Sequence, residues 1–308
     1  MKDRVTYASQ ALFIGPSKTG AVGHDMISGL TPTQLKRVQG VSSEIQPNDT
    51  YVYQVGSINS VGRATPLSPT INLDIEYVLG DAQNEKWVGL SLGDLTVPAI
   101  SGLLSGFRDN QNIYLINTKK GDAIKSQSNE EFLKEQHINV MGFGNCSLQA
   151  YGVEAAVGGI PTATIGFTAS NSCVTSGASG TPNPAINSSG YKEKGYGSVS
   201  IPAPAESDLT VDSLRPSEII LTFGSEKLKQ GGVALPGNSK HRSVSVCSID
   251  SFSINFPLNR RVKKKLGSNY PISNKIIGPN EIVLTCQAKT KDLLSGNLIN
   301  TICEDKRD

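Results

Sequence analysis

Ser243-Val-Ser-Val-Cys-Ser-Ile-Asp-Ser-Phe-Ser-Ile-Asn-Phe256 is the stretch on which the fold class turns. Val244, Val246, Phe252, Ile254 and Phe256 recur at even spacing between serines and other polar residues, so an extended chain here buries one face and wets the other. The same alternation recurs at Ile71, Leu73 and Ile75, at Ile113 and Leu115, at Val153, Ala155 and Val157, and at Ile282, Leu284 and Cys286. Helical signals are few: Thr31–Lys36 behind a Thr-Pro start, Leu95–Leu104, and Asn129–Gln136, whose early acids and late Lys134 suit the helix dipole. The sequence therefore predicts a mainly β chain with a few short helices.

Composition agrees and narrows the function classes. The 308 residues suffice for two ordinary domains or one large β domain. Charged residues make up only 18% while Gly number 31 and Pro 16, a balance that favours strands and turns. A net charge of +2 is too small for a protein that coats nucleic acid by neutralising phosphates. No stretch approaches the roughly 20 apolar residues that cross a bilayer, and Met1-Lys-Asp-Arg leads into no signal-peptide core. A soluble protein made in the cytosol, with no membrane partner, is expected.

Cys146, Cys173, Cys247, Cys286 and Cys303 are odd in number and widely spaced, which predicts reduced, mostly buried thiols. None stands at ligand spacing from His24, His137 or His241, so no metal is expected. Catalytic motifs fail on inspection. Gly15-Pro-Ser-Lys-Thr-Gly20 lacks the glycine spacing of a phosphate-binding loop. Ser189-Gly-Tyr-Lys192 and Lys18-Thr-Gly20 stand in the reverse of the order in which a Ser-x-x-Lys enzyme carries them. Glu130-Glu131 suits a helix start, and Asp74 with Glu76 the wet face of a strand, better than acid-base work. Trp87, the one tryptophan, reads as a core or interface anchor. No catalytic residue and no cofactor is expected.

Shifting the chain by 211 positions exposes an internal repeat. Gly56-Ser57 falls on Gly267-Ser268, Val41 on Phe252, Ile45 on Phe256, Val55 on Leu266, Ile71 on Ile282, Leu73 on Leu284 and Ile75 on Cys286. Each copy reads as an amphipathic strand, a Gly-Ser turn, and a second amphipathic strand behind Pro69 or Pro279, with buried positions expected to match buried positions. The copies differ in charge. Glu44, Asp49, Asp74, Glu76, Asp81, Glu85 and Asp94 make the first acidic, whereas Arg260, Arg261, Lys263, Lys264, Lys265, Lys275, Lys289 and Lys291 make the second basic. Such runs either keep a face solvated or dock the acidic half of one subunit beside the basic half of the next.

Two copies are therefore expected, at 1–143 and 144–308, the second including a Ser/Gly/Pro-rich loop at 170–215 that reads equally as a flexible linker or as a loop ordered against a neighbour. The second copy stops early: the further strand at Asn112–Asn117 has no counterpart within 308 residues. A shortened chain or a strand added by a neighbour at an exposed edge would account for that.

In order along the chain, Gly142-Phe-Gly-Asn-Cys-Ser-Leu with Tyr151, Val157-Gly-Gly-Ile-Pro-Thr-Ala, Ser213-Leu-Arg-Pro before Ile219, and Ile249-Asp-Ser-Phe-Ser-Ile ahead of a basic segment and Leu266-Gly-Ser resemble phage tail tube proteins, especially a duplicated type. The resemblance implies tandem β-sandwich or barrel-like tube folds whose strands join those of neighbours in a ring, rings stacking into a hollow tube through which DNA passes unbound. It implies a virion tail protein assembled in the host cytoplasm, partnered by itself and other tail proteins. With two copies per chain, three subunits would make a pseudo-hexameric ring, six being the alternative. The interface candidates are Asp74, Glu76, Arg260, Arg261, Lys263, Lys264, Lys265 and the turns Gly56-Ser57 and Gly267-Ser268. The competing reading is a neck, baseplate, or carbohydrate- or receptor-binding β-sandwich, which would need an aromatic face that one tryptophan does not supply.

Overall fold

The structure, a computed structural model, describes residues 10–17, 31–64, 68–92, 97–105, 109–118, 138–177, 181–186, 198–204, 249–268 and 270–288. Its strands, in chain order, are β1 (Gln10–Pro16), β2 (Thr33–Gln34), β3 (Val38–Gln46), β4 (Thr50–Val52), β5 (Gly62–Ala64), β6 (Thr70–Val78), β7 (Gln111–Thr118), β8 (Ile138–Ala156), β9 (Thr162–Ala169), β10 (Asn171–Ser176), β11 (Thr181–Pro182), β12 (Ser198–Val199), β13 (Ile249–Pro257), β14 (Arg260–Lys263), β15 (Ser273–Ile276) and β16 (Val283–Ala288). Two short helices, α1 (Gln83–Val88) and α2 (Ile100–Leu104), lie between β6 and β7. The chain is mainly β.

The 19-residue β8 organises the fold. Its first half pairs with β7 and β10, its second half with β9 and β13, so two antiparallel sheets share one strand. The first runs β2-β1-β7-β8-β10 and the second β3-β6-β9-β8-β13-β16. At the crossing, Asn145 adopts φ 54°, a conformation asparagine tolerates better than most residues, and its Oδ1 accepts the Ile186 N–H at 2.9 Å.

Leu12, Ile14, Ile113 and Phe143 of the first sheet join Ile71, Leu73, Ile75, Tyr151, Ile165 and Phe167 of the second in one buried cluster, which makes the pair a sandwich. On β6 the expected alternation holds: Ile71, Leu73, Ile75 and Tyr77 are buried, Asp74 and Glu76 exposed. The first sheet is covered on its other face as well, where Phe13, Tyr114, Ile116 and Val140 pack with Val199 and Ile201. β1 and β7 are thus buried on both sides, and the period-2 reading of Ile113 and Leu115 was too narrow.

Several expectations change. Thr31–Lys36 contains β2 rather than a helix, because Leu35 N–H bonds to the Leu12 carbonyl at 2.9 Å beside β1. Within Leu95–Leu104 the helix is Ile100–Leu104; Asn129–Gln136 lies outside the described residues. α1, unforeseen, places Trp87 against the main core. Val157 lies in the turn after β8 and is 71% exposed.

The described parts of 170–215 pack on the chain itself. Asn171 Nδ2 donates to the Pro184 carbonyl at 2.9 Å, and Asn112 Nδ2 to Asn183 Oδ1 at 2.7 Å. A side chain on Gly144 would collide with the Pro184 carbonyl, so that glycine is required by close approach.

Candidate functional site: assembly surfaces

The surface with the clearest design is the outer face of the second sheet. Strand registers line up Gly40, Glu76, Thr164, Gly152, Asn255 and Val283 across all six strands. Ser42, Asp74, Gly166 and Ala150 form a second row, and Thr162, Glu154, Ser253 and Thr285 a third. Among the described residues this face carries no Lys or Arg, while Glu44, Asp74, Glu76 and Glu154 are exposed carboxylates. Small polar side chains between them leave a flat, wet and negative surface that repels phosphate.

The sheet ends in β3 on one side and β16 on the other, each paired on one edge among the described residues. The six strands alternate in direction, so β3 and β16 run opposite ways and the β16 of a second copy meets β3 antiparallel. β3 and β13 run the same way, which sends the two hairpin arms that follow them, β4–β5 and β14–β15, off one end of the sheet.

The 211-residue shift reappears in these arms as matched geometry. Val41 faces Ile75 as Phe252 faces Cys286, and Tyr51 faces Arg63 as Val262 faces Asn274. A bulge follows Val38, and another follows Ile249. At the tips, Gly56 has φ 89° and Gly267 φ 80°, the left-handed region that favours glycine. Ser57 Oγ donates to the Asn59 carbonyl and Ser268 Oγ to the Tyr270 carbonyl, each at 2.8 Å.

Side chains on the arms differ. The first exposes Tyr51, Tyr53, Val55, Ile58 and Val61, with Val55 and Ile58 fully exposed. The second exposes Arg261, Lys263, Lys264 and Lys265 together with Leu266. Matching positions are therefore not all buried, as the sequence had suggested: Val55 and Leu266 are exposed tips, Ile45 is 51% exposed, and Ile282 and Leu284 are exposed where Ile71 and Leu73 are not.

The sequence-predicted residues thus separate. Asp74 and Glu76 lie on the polar face; Arg261 and Lys263–Lys265 and both Gly-Ser turns lie on the arms. Arg260 stands apart, its guanidinium 3% exposed and bonded to both Asp109 oxygens at 2.6 and 3.0 Å, with Nε donating to the Leu148 carbonyl at 2.6 Å. It anchors the second arm to β8. The equivalent position in the first arm is Asp49, which pairs with Arg63 of the same arm.

The sequence reading missed the polar rows on β8 and β9, because Gly152, Thr164 and Gly166 carry no charge to notice. It counted Asp81 among the acids of the first copy but missed its pairing with Arg37 at 2.5 Å and Lys36 at 3.2 Å. Burial favours the neutral form of Asp81, but hydrogen bonds from Arg37 and Lys36 outweigh it and hold the carboxyl below its ordinary value. Cys146 is buried, and that burial pushes its thiol up and leaves it inert; Cys173 and Cys286 are half-buried and outside any disulfide, less enclosed than expected. Cys247, Cys303 and the three histidines lie outside the described residues. Among the described residues no cluster of His, Cys, Asp or Glu could hold a metal, and no helix is long and apolar enough to cross a membrane.

The sequence matches no family model and no curated protein. Solved structures similar in part to this chain include the SPP1 tail tube, at 9% identity and a TM-score of 0.35 over 56% of this chain and 80% of that one. The sheath-tube complex of the extracellular contractile injection system PVC gives the same identity and score over 56% of this chain and 92% of that one. The anti-feeding prophage tube-terminating cap follows at 9% identity and 0.33, over 57% and 93%.

Proposed function

We propose that this chain is a structural subunit that assembles edge to edge into rings and stacks them into a hollow tube of the bacteriophage tail-tube kind. The observation that carries the reading is the second sheet, which has one face packed on the sandwich core over its central strands, one wet face free of Lys and Arg among the described residues, and two terminal strands of opposite direction. Joining β3 to a neighbour's β16 repeats that sheet around a ring and turns its polar face to the lumen. DNA then passes along a surface that does not hold it.

The arms leave the plane of such a ring and reach the next one, the apolar arm by burial and the basic arm by charge. Their matched geometry supports two copies of one fold, divided near residue 143, so that three chains complete a pseudo-hexameric ring; a ring of six chains is the alternative. The subunit belongs to a virion tail, is assembled in the host cytoplasm, and meets other tail proteins at the tube ends. No part of this role uses a cofactor or a catalytic residue.

Negative-stain electron microscopy, with solution mass measured over a range of concentration and salt, tests it. Hollow tubes or stacked rings are expected; a compact monomer at every concentration overturns the reading.

A further inference from the structure

The second sheet is unlike at its two ends. One end carries the arms, the first exposing Tyr53, Val55 and Ile58 and the second exposing Arg261 and Lys263–Lys265. The other end carries the turn from β8 to β9, because β8 runs opposite to β13 and finishes beside its start. Val157 and Ile160 are exposed in that turn with only Gly158, at φ 82°, and Gly159 between them, so two apolar side chains stand on its tip. The Gly159 N–H closes the turn on the Ala156 carbonyl at 3.0 Å. Next to it on the polar face are the exposed carboxylates Glu154 and Glu76. Of the described cations at this end, Lys36 and Arg37 are held by Asp81, and Lys86 stands on α1. An apolar tip flanked by acids thus lies at one end of the sheet, and an apolar arm and a basic arm at the other.

Strand order sets the turn between the arms. In the run β3-β6-β9-β8-β13 the arms are rooted on the two outer strands, four strand spacings or about 19 Å apart, and β9 and β8 lie between them. When two copies are laid end to end with their strands in line, the turn of one enters the gap between the arms of the other. We propose that the β8–β9 turn of one copy seats between the two arms of a second copy in the adjacent ring, with Val157 and Ile160 against the apolar arm and Glu154 facing the basic one. The two surfaces differ, so the contact is head-to-tail and repeats without closing, as a stack of rings requires. This inference rests on the tube reading and adds to it the surface that receives the arms.

Cross-linking between separately made chains tests it. Full chains carrying Val55→Cys or Ile58→Cys are mixed before assembly with chains carrying Val157→Cys or Ile160→Cys, oxidised mildly once assembled, and mapped by peptide mass spectrometry. Val174→Cys, at an exposed position on β10 of the first sheet, takes the place of the turn variants as the control. A disulfide needs Cα atoms within about 7 Å, so only positions that meet across the contact link. Bonds from 55 or 58 of one chain to 157 or 160 of another, and none to 174, are the expected result. Tubes with no such bond, or with equal linking to 174, overturn this inference and leave the tube reading standing; chains that never assemble overturn both. A charge exchange reads the second arm. Glu154→Lys should raise the protein concentration needed for assembly severalfold. Added to the reversal of Lys263, Lys264 and Lys265 to Glu, it should lower the concentration that the reversal alone requires. If the combined variant assembles no better than the reversal, Glu154 does not face the basic arm and the inference falls.

Discussion

The first and second strand pairs carry the same ladder, bulge and arm, yet one is built into the core and the other stands at the margin. β3–β6 shares its sandwich with β1 and β7, and its arm root is a local ion pair, Asp49 with Arg63. β13–β16 is held to the molecule through β8 and through Arg260, whose partner Asp109 is 151 residues away in sequence. The difference teaches that hydrogen-bond register comes from backbone pattern, whereas fixing a pair in place depends on a few side chains that do not repeat.

The arm roots give the largest contrast. Arg260→Ala leaves Asp109 without its guanidinium in a part-buried site, which should cost about 3–5 kcal/mol. Arg63→Ala removes a guanidinium that is itself 56% exposed but leaves Asp49, only 10% exposed, without it, and should cost less, about 1–3 kcal/mol. Urea unfolding of the two variants measures both, and equal losses would break the comparison. Next come the paired leucines: Leu73→Ala, in a fully buried site, should cost about 2–5 kcal/mol. Leu284→Ala, at a position 39% exposed, should cost less than that, about 0.5–1 kcal/mol.

In the proposed tube the arm tips should act on assembly instead of folding. Reversing Lys263, Lys264 and Lys265 to Glu should leave stability within about 0.5 kcal/mol while weakening tube formation and steepening its response to salt. Light scattering against sodium chloride concentration reads this directly; unchanged assembly would remove charge from the second arm's role. Smallest is Asp81. Its carboxyl titrates lower when folded than unfolded, so its contribution is present at neutral pH and fades as pH falls through the lowered value. Asp81→Asn should slightly lower the thermal midpoint at pH 7, with the gap to the unsubstituted chain closing in acid.

Much of this was legible in the sequence. Ile71, Leu73 and Ile75 alternate because one face of β6 is wet, and the 211-residue match found both arms from little more than Gly56-Ser57 and Gly267-Ser268. Other features had no local signal. β1 and β7 are sealed on both faces by chain far away in sequence, which erases alternation. Arg260 sits in a basic run, so nothing nearby marked it as the buried member that binds Asp109. The polar face of the second sheet was equally silent, because its Gly, Ser and Thr positions form rows only when six strands bring them together.

Hydrogen–deuterium exchange on the assembled and unassembled protein tests edge-to-edge joining directly, since joining subunits through sheet edges protects the backbone amides there. Slowed exchange in β3 and β16 on assembly, with β8 and β9 already slow in both states, is expected. Assembled particles in which β3 and β16 exchange as fast as in the free subunit would contradict it.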